Sequence, residues 1–182
     1  RLLREELNRP GWSGKDVIAI SGVTDCYQPA ERRFGVTRGV IEVLAEARQA
    51  FGVITKNALL MRDLDLFAPL AAERLFQANV SITTLDAELC RVLEPRTSPP
   101  AQRLDAIRQL SAAGVPVRVM VAPVIPGLND AEIPAILQAA AAAGARGASY
   151  VLLRLPFAVK VIFLEWLDRH RPNLRQRVEA FI

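Results

Sequence analysis

Short β-branched, apolar runs alternate along the chain with longer stretches in which apolar positions recur every three and four residues. The runs VIAIS (17–21), FGVIT (51–55), NVSITTL (79–85), PVRVMVAP (116–123) and ASYVLLRL (148–155) are apolar on both faces. Parallel strands covered by helices read this way. Helical periodicity marks TRGVIEVLAEARQ (37–49), RDLDLFAPLAAE (62–73), AELCRVL (87–93), PPAQRLDAIRQLSAAG (99–114) and AVKVIFLEWLDRH (158–170). Start and stop signals sharpen these spans. Asp63 is an expected N-cap, and Ser98 another, with Pro at the first helical position and Gly114 at the stop. Asn129 should cap the Ala-rich helix that follows the fourth strand, with Glu132 at the capping-box position. The strands recur at roughly the length of a βα unit. The pattern predicts an α/β fold with a parallel sheet and a single domain over residues 1–182, without a linker or low-complexity tract.

No Gly-rich dinucleotide or P-loop signature follows the first strand. Residues able to do chemistry instead follow every strand, in SGVTDCYQPAE, TKN, SITTLD, PVIPGLND and RLP. The C-terminal ends of the strands are where parallel α/β barrels hold ligands. Five strands are too few to close a barrel of eight, so the expected architecture is an open, partial barrel, or one whose other strands lie outside these residues.

Composition narrows the classes. At 182 residues, 51% hydrophobic and 23% charged, the chain can bury a core and is not disordered. No apolar run reaches the roughly 18 residues of a membrane span, and no secretory pattern opens the chain. No membrane partner is expected, and a cytoplasmic location is. The chain lacks an initiator Met and opens in RLLREELNRPGW, so it reads as part of a longer protein. Cys26 and Cys90 have neither disulfide-framework nor zinc spacing. The net charge of +4 comes largely from scattered Arg, with a basic tail at Arg169, Arg171, Arg175 and Arg177. Scattered Arg is ordinarily a solvated helix face, and a nucleic-acid footprint is the second reading.

Among candidate residues, Lys56 is one of three lysines and stands at a strand end, where an ammonium can grip a carboxylate or form a Schiff base. Ser81 and Thr83 alternate onto one side of their strand, beside Thr84. Thr24, Asp25 and Tyr27 follow the first strand, where an Asx-type turn explains Thr24 and Asp25 without a ligand. Arg96 could take an anion from its Pro-rich loop. Cys26 is a candidate reactive thiol, whereas His170, Trp12 and Trp166 read as structural. Three functional classes remain open from the residues alone: a ligand-binding barrel enzyme, a Schiff-base lyase or aldolase built on Lys56, and a basic nucleic-acid-binding module.

Taken in order, ISGVTDCYQPAER, VITKNALLMRDLDL, VSITTLDAELCRVLEPRTSPPAQRLDAIRQLSAAGVPV, VMVAPVIPGLNDAEI and YVLLRLPFAVK resemble the radical SAM superfamily, and within it the spore photoproduct lyase-like (SplB-like, Rv2578c-type) branch. The resemblance implies an incomplete (β/α)6 TIM-like barrel whose first strand is absent from this chain. It implies binding of S-adenosylmethionine (SAM). Pro123 to Asp130 fits loosely the Gly-x-Ile-x-Gly-x-x-Glu pattern that lies against adenine, with Ile125 and Gly127 matching. Ser21 to Asp25, including Gly22, Thr24 and Asp25, falls where the amino group of SAM is bound. Lys56 matches the lysine that takes the SAM carboxylate, Ser81 and Thr83 the positions near ribose and methionine, and Leu153 a strand flanking adenine. Arg96 joins them as an anion contact, and Cys26 as a hydrogen-atom donor. The family's [4Fe–4S] cluster is held by Cys-x3-Cys-x2-Cys, a spacing absent here. The resemblance therefore places the cluster ligands upstream of Arg1 and makes this chain inactive without them. The implied chemistry is one-electron reduction of SAM, fed by an electron donor, to a 5′-deoxyadenosyl radical that takes a hydrogen atom from substrate. By analogy that substrate is a nucleic-acid lesion.

Overall fold

A computed structural model describes residues 1–182. After a short helix α1 (Leu2–Leu7), the chain runs β1 (Ile18–Ile20), α2 (Glu31–Phe34), α3 (Val36–Glu46), β2 (Phe51–Thr55), α4 (Leu64–Ala72) and β3 (Phe76–Ser81). It continues through α5 (Ala87–Leu93), α6 (Pro100–Ala112), β4 (Val117–Val124), α7 (Ile133–Ala142), β5 (Gly147–Leu152), α8 (Val159–His170) and α9 (Arg175–Glu179). The five strands are all parallel and lie in sequence order, with β1 and β5 at the edges. This is the α/β class that the alternation predicts, and it is consistent with a partial TIM-like barrel.

Strand parity builds the core. Phe51, Val53, Phe76, Ala78, Val80, Val117, Val119 and Val121 alternate onto the helix side and are buried there. They meet Ile41 and Leu44 of α3, Phe67 and Leu70 of α4, Ile107 and Leu110 of α6, and Ile136 and Ala140 of α7. Phe67 stacks on Phe76 with ring centroids 4.1 Å apart. The opposite face carries Gly52, Ile54, Gln77, Asn79, Arg118 and Met120. Gly52 gives close passage there: a Cβ would come 3.3 Å from the Gln77 carbonyl, so the neighbouring strand would have to give by a few tenths of an ångström.

Several local expectations are corrected. The third strand begins at Phe76 and ends at Ser81, not over 79–85. Phe76, Ala78 and Val80 carry the period of two, and the chain then leaves the ladder so that Thr83 and Thr84 can bond to carboxylates. Asp63 sits at the start of α4 but caps nothing. It is fully buried, and its carboxylate accepts from Tyr27 Oη at 2.8 Å, Arg38 at 3.0 Å and Arg62 at 3.3 Å. Ser98 is not the cap of α6, which starts at Pro100 after Pro99; its hydroxyl accepts from Ala58 N at 2.9 Å. Glu132 makes no capping box; it accepts from Thr84 Oγ1 and Leu85 N across the sheet.

Helix α8 does not cover β5 from outside. It crosses the strand ends, where Trp166 donates to Val92 O at 3.1 Å, and Leu167 with Val178 of α9 buries Ile125 in a second, small core. The outer side of β5 therefore stays open, leaving Tyr150 and Leu152 exposed. No helix is long and apolar enough to cross a membrane.

Candidate functional site at the strand ends

The C-terminal ends of β1 to β4 are joined by one continuous hydrogen-bonded chain. It begins at Asp25, after β1. Its Oδ1 accepts from Tyr27 N at 2.8 Å and Thr55 Oγ1 at 2.7 Å, and its Oδ2 from Lys56 N at 2.8 Å and Asn57 Nδ2 at 3.1 Å. Those contacts occupy about the four lone-pair sites of a carboxylate. Asp25 thereby fixes the backbone from which Lys56 projects.

The Lys56 ammonium donates to Oε1 of Glu94, which lies just beyond α5. The same oxygen takes Thr83 Oγ1 at 2.7 Å, and the other takes Arg103 Nη2 at 2.7 Å. Each nitrogen of Arg103 has a partner: besides Nη2, Nη1 donates to Ser81 O at 2.9 Å and Nε to Ser98 O at 2.7 Å. From Thr83 the chain passes to Asn129, whose Nδ2 donates to Thr83 O at 2.8 Å and Pro123 O at 3.0 Å. Its Oδ1 accepts from Ile125 N at 2.6 Å. Asn129 is fully buried and ties β3 to the turn after β4, rather than capping the helix beyond it.

One carboxylate, Glu94, stands between two cations, while Asp25 supplies a second carboxylate to the same network; side-chain exposure is 6% for Glu94, 1% for Arg103 and 27% for Lys56. Burial works against ionising Glu94, but the Lys56 ammonium and the Arg103 guanidinium hold its carboxyl below the usual range. Of Glu94 and its two cations, only Lys56 reaches solvent. An ammonium has three donors and Glu94 takes one, so Lys56 can bind a further anionic group from solvent.

The remaining candidates are placed unevenly. Ser81 is buried at the end of β3, its carbonyl on Arg103. Gly22, Thr24 and Arg96 stand exposed in loops. Gly127, at φ +83°, turns the chain after β4; its N–H donates to Asp130 at 2.9 Å, and Arg177 lies against it. Ile125 and Leu153 belong to the second core under α8 and α9. Cys26 is half-buried beside Thr37, and burial pushes its thiol up to about 11. The structure thus brings Asp25, Lys56, Ser81, Thr83 and the Ile125–Gly127 turn into one network, and leaves Gly22, Thr24, Arg96 and Leu153 outside it.

Glu94 and Arg103 were missed by sequence reasoning. Arg103 had a signal: it shares the helical spacing of Ala106, Ile107 and Leu110 and so falls on the buried stripe of α6. Glu94 had only its place after a hydrophobic Val92–Leu93 pair.

Metal chemistry does not fit these residues. No group of three or more His, Cys, Asp or Glu side chains is placed to hold a metal, and Cys90 is buried with Arg103 Nη2 3.3 Å from its sulfur.

Residues 3–140 match the Radical SAM superfamily. The uncharacterized protein Rv2578c of Mycobacterium tuberculosis is 39% identical over 178 residues, covering 97% of this chain and 52% of its own length. The uncharacterized protein MJ0683 of Methanocaldococcus jannaschii is 30% identical over 118 residues, 65% of this chain and 44% of its own. ORF301 of Acidianus two-tailed virus, also uncharacterized, is 33% identical over 115 residues, 63% of this chain and 36% of its own. The chain spans about half the length of its mycobacterial relative. A family match running from α1 to α7, on a chain whose five strands form one parallel sheet, leads to one conclusion: the chain belongs to the radical SAM superfamily.

Proposed function

We propose that this chain is the SAM-binding part of a radical SAM enzyme of the spore photoproduct lyase-like branch. The carrying observation is the Lys56 ammonium, partly exposed just past β2, held on one side by the buried Glu94–Arg103 pair and with donors left for a ligand. Lys56 takes the carboxylate of SAM. Ser81 and Thr83 lie toward its ribose and methionine. The Ile125 side chain is already covered by Leu167 and Val178, so adenine meets the backbone of the Pro126–Gly127 turn. With its oxygens already bonded, Asp25 serves by placing Lys56, and the SAM amino group falls to the neighbouring backbone of Gly22 and Thr24.

The [4Fe–4S] cluster of the superfamily would be held by cysteines outside residues 1–182, since Cys26 and Cys90 cannot supply three ligands. The rival readings have less support. An amine nucleophile is activated by apolar surroundings or a neighbouring cation, whereas Lys56 faces a carboxylate. The basic tail is partly neutralised, with Arg175 paired to Asp168 and Glu179.

Titration of the full-length protein with SAM by calorimetry tests this reading. Lys56→Ala should lose one charge-assisted contact, about 1.5–3 kcal/mol. Equal affinity in wild type and variant would remove Lys56 from the site.

A further inference from the structure

Lys56 carries a flexible four-carbon stem, and a free lysine at a cavity mouth loses rotamer entropy when it grips a ligand. Here that ordering is done in advance. Glu94 takes the ammonium on Oε1, while Thr83 on the same oxygen and Arg103 on the other fix the carboxylate itself. Arg103 is anchored by the backbone at Ser81 and Ser98, so the tether runs from β3 and the start of α6 to the end of β2. Glu94 is buried behind Lys56, and of the two only the lysine reaches solvent.

We propose that Glu94 is a positioning residue: held by Arg103 and Thr83, it pre-orders Lys56 so that the two free ammonium donors face an incoming carboxylate. This rests on the SAM reading above and extends it, because discrimination for the amino-acid end of SAM then depends on a residue that never touches the ligand. A tether makes a different prediction from a competitor. Were Glu94 only a rival anion for Lys56, neutralising it would tighten SAM. As a tether, moving it by one methylene at unchanged charge loosens SAM.

The test measures dissociation constants of the full-length holoprotein for SAM and for decarboxylated SAM, which lacks only the carboxylate. Their ratio isolates the carboxylate contact. In wild type SAM should bind more tightly, and Lys56→Met should bring the ratio near one. Glu94→Asp and Glu94→Gln should each lower the ratio about fivefold, the scale of freeing part of a lysine side chain, with affinity for decarboxylated SAM unchanged. Added to Lys56→Met, Glu94→Asp should lower the ratio no further. Should either Glu94 variant fail to fold, Arg103→Lys, which weakens the anchor at unchanged charge, carries the same comparison. A wild-type ratio near one overturns the SAM reading and this assignment with it. A wild-type preference that survives Glu94→Asp, an equal loss for both ligands, or tighter SAM binding in Glu94→Gln overturns the positioning role alone.

Discussion

Asn129 gives the most quantitative check on the strand-end network. It is fully buried, and its amide makes three hydrogen bonds, from Ile125 N at 2.6 Å and to Thr83 O at 2.8 Å and Pro123 O at 3.0 Å. Asn129→Ala removes all three and leaves one N–H and two carbonyls without this partner. A net hydrogen bond is worth about 0.5–1.5 kcal/mol, and a buried group left unpaired costs about 1–3 kcal/mol. Water can replace part of the loss, which puts the destabilisation at about 2–4 kcal/mol. Urea unfolding of this chain should show it as a midpoint lowered by roughly 1–2 M, taking a slope of about 2 kcal/mol/M. Asn129→Asp keeps the acceptor for Ile125 N but turns an anionic oxygen toward two carbonyls, so it should lose at least as much at pH 7. A loss under about 1 kcal/mol in both variants would mean that the turn after β4 is held by its apolar contacts, and the network would have no structural weight there.

Arg103→Met should destabilise by about 3–5 kcal/mol in the same assay, because it leaves the Glu94 carboxylate buried with one cation fewer; a neutral result would show that the triad is not an energetic unit. Glu94 has a folded-state pKa below its ordinary 4.5, so its contribution is fully present above that value and is lost as pH falls through the lowered one. The wild-type advantage over Glu94→Gln should therefore shrink below about pH 4.5 in unfolding measured from pH 7 to 3, and a constant difference would contradict the assignment. Cys26 has its thiol pushed by burial from 9.0 to about 11, so iodoacetamide labelling of its peptide, followed by mass spectrometry, should still be accelerating above pH 9 and level off near 11; a plateau near 9 would place the thiol in open solvent.

The sheet could be read from the chain because short two-faced apolar runs have few ways to be buried other than between helices. FGVIT coincides with β2 residue for residue. The end of β3 was misread for a reason with functional content: Thr83 and Thr84 have strand propensity, but Glu94 and Glu132 draw their hydroxyls out of the ladder. Pro100 opens α6 and Gly114 ends it as expected, but three N-cap expectations failed in the same way. Asp63, Ser98 and Asn129 are residues that cap helices in isolation, and here each is taken by a partner from another element. Local pattern cannot encode those long-range competitors. Lys56 was visible as a rare lysine at a strand end, whereas its partner Glu94, 38 positions away, was not. The placement of α8 was likewise hidden: its apolar residues predicted burial, but not that Trp166 and Leu167 would cross the strand ends and cover Ile125.

Hydrogen–deuterium exchange of the full-length protein, with and without saturating SAM, tests the central claim most directly, because it locates the ligand without relying on turnover. Binding at the strand ends should slow exchange across residues 55–58, 81–85 and 123–129 together, with the loss greatly reduced in Lys56→Ala. Protection confined to another surface, such as the open outer side of β5 around Tyr150 and Leu152, or no protection at saturating SAM, would contradict the account.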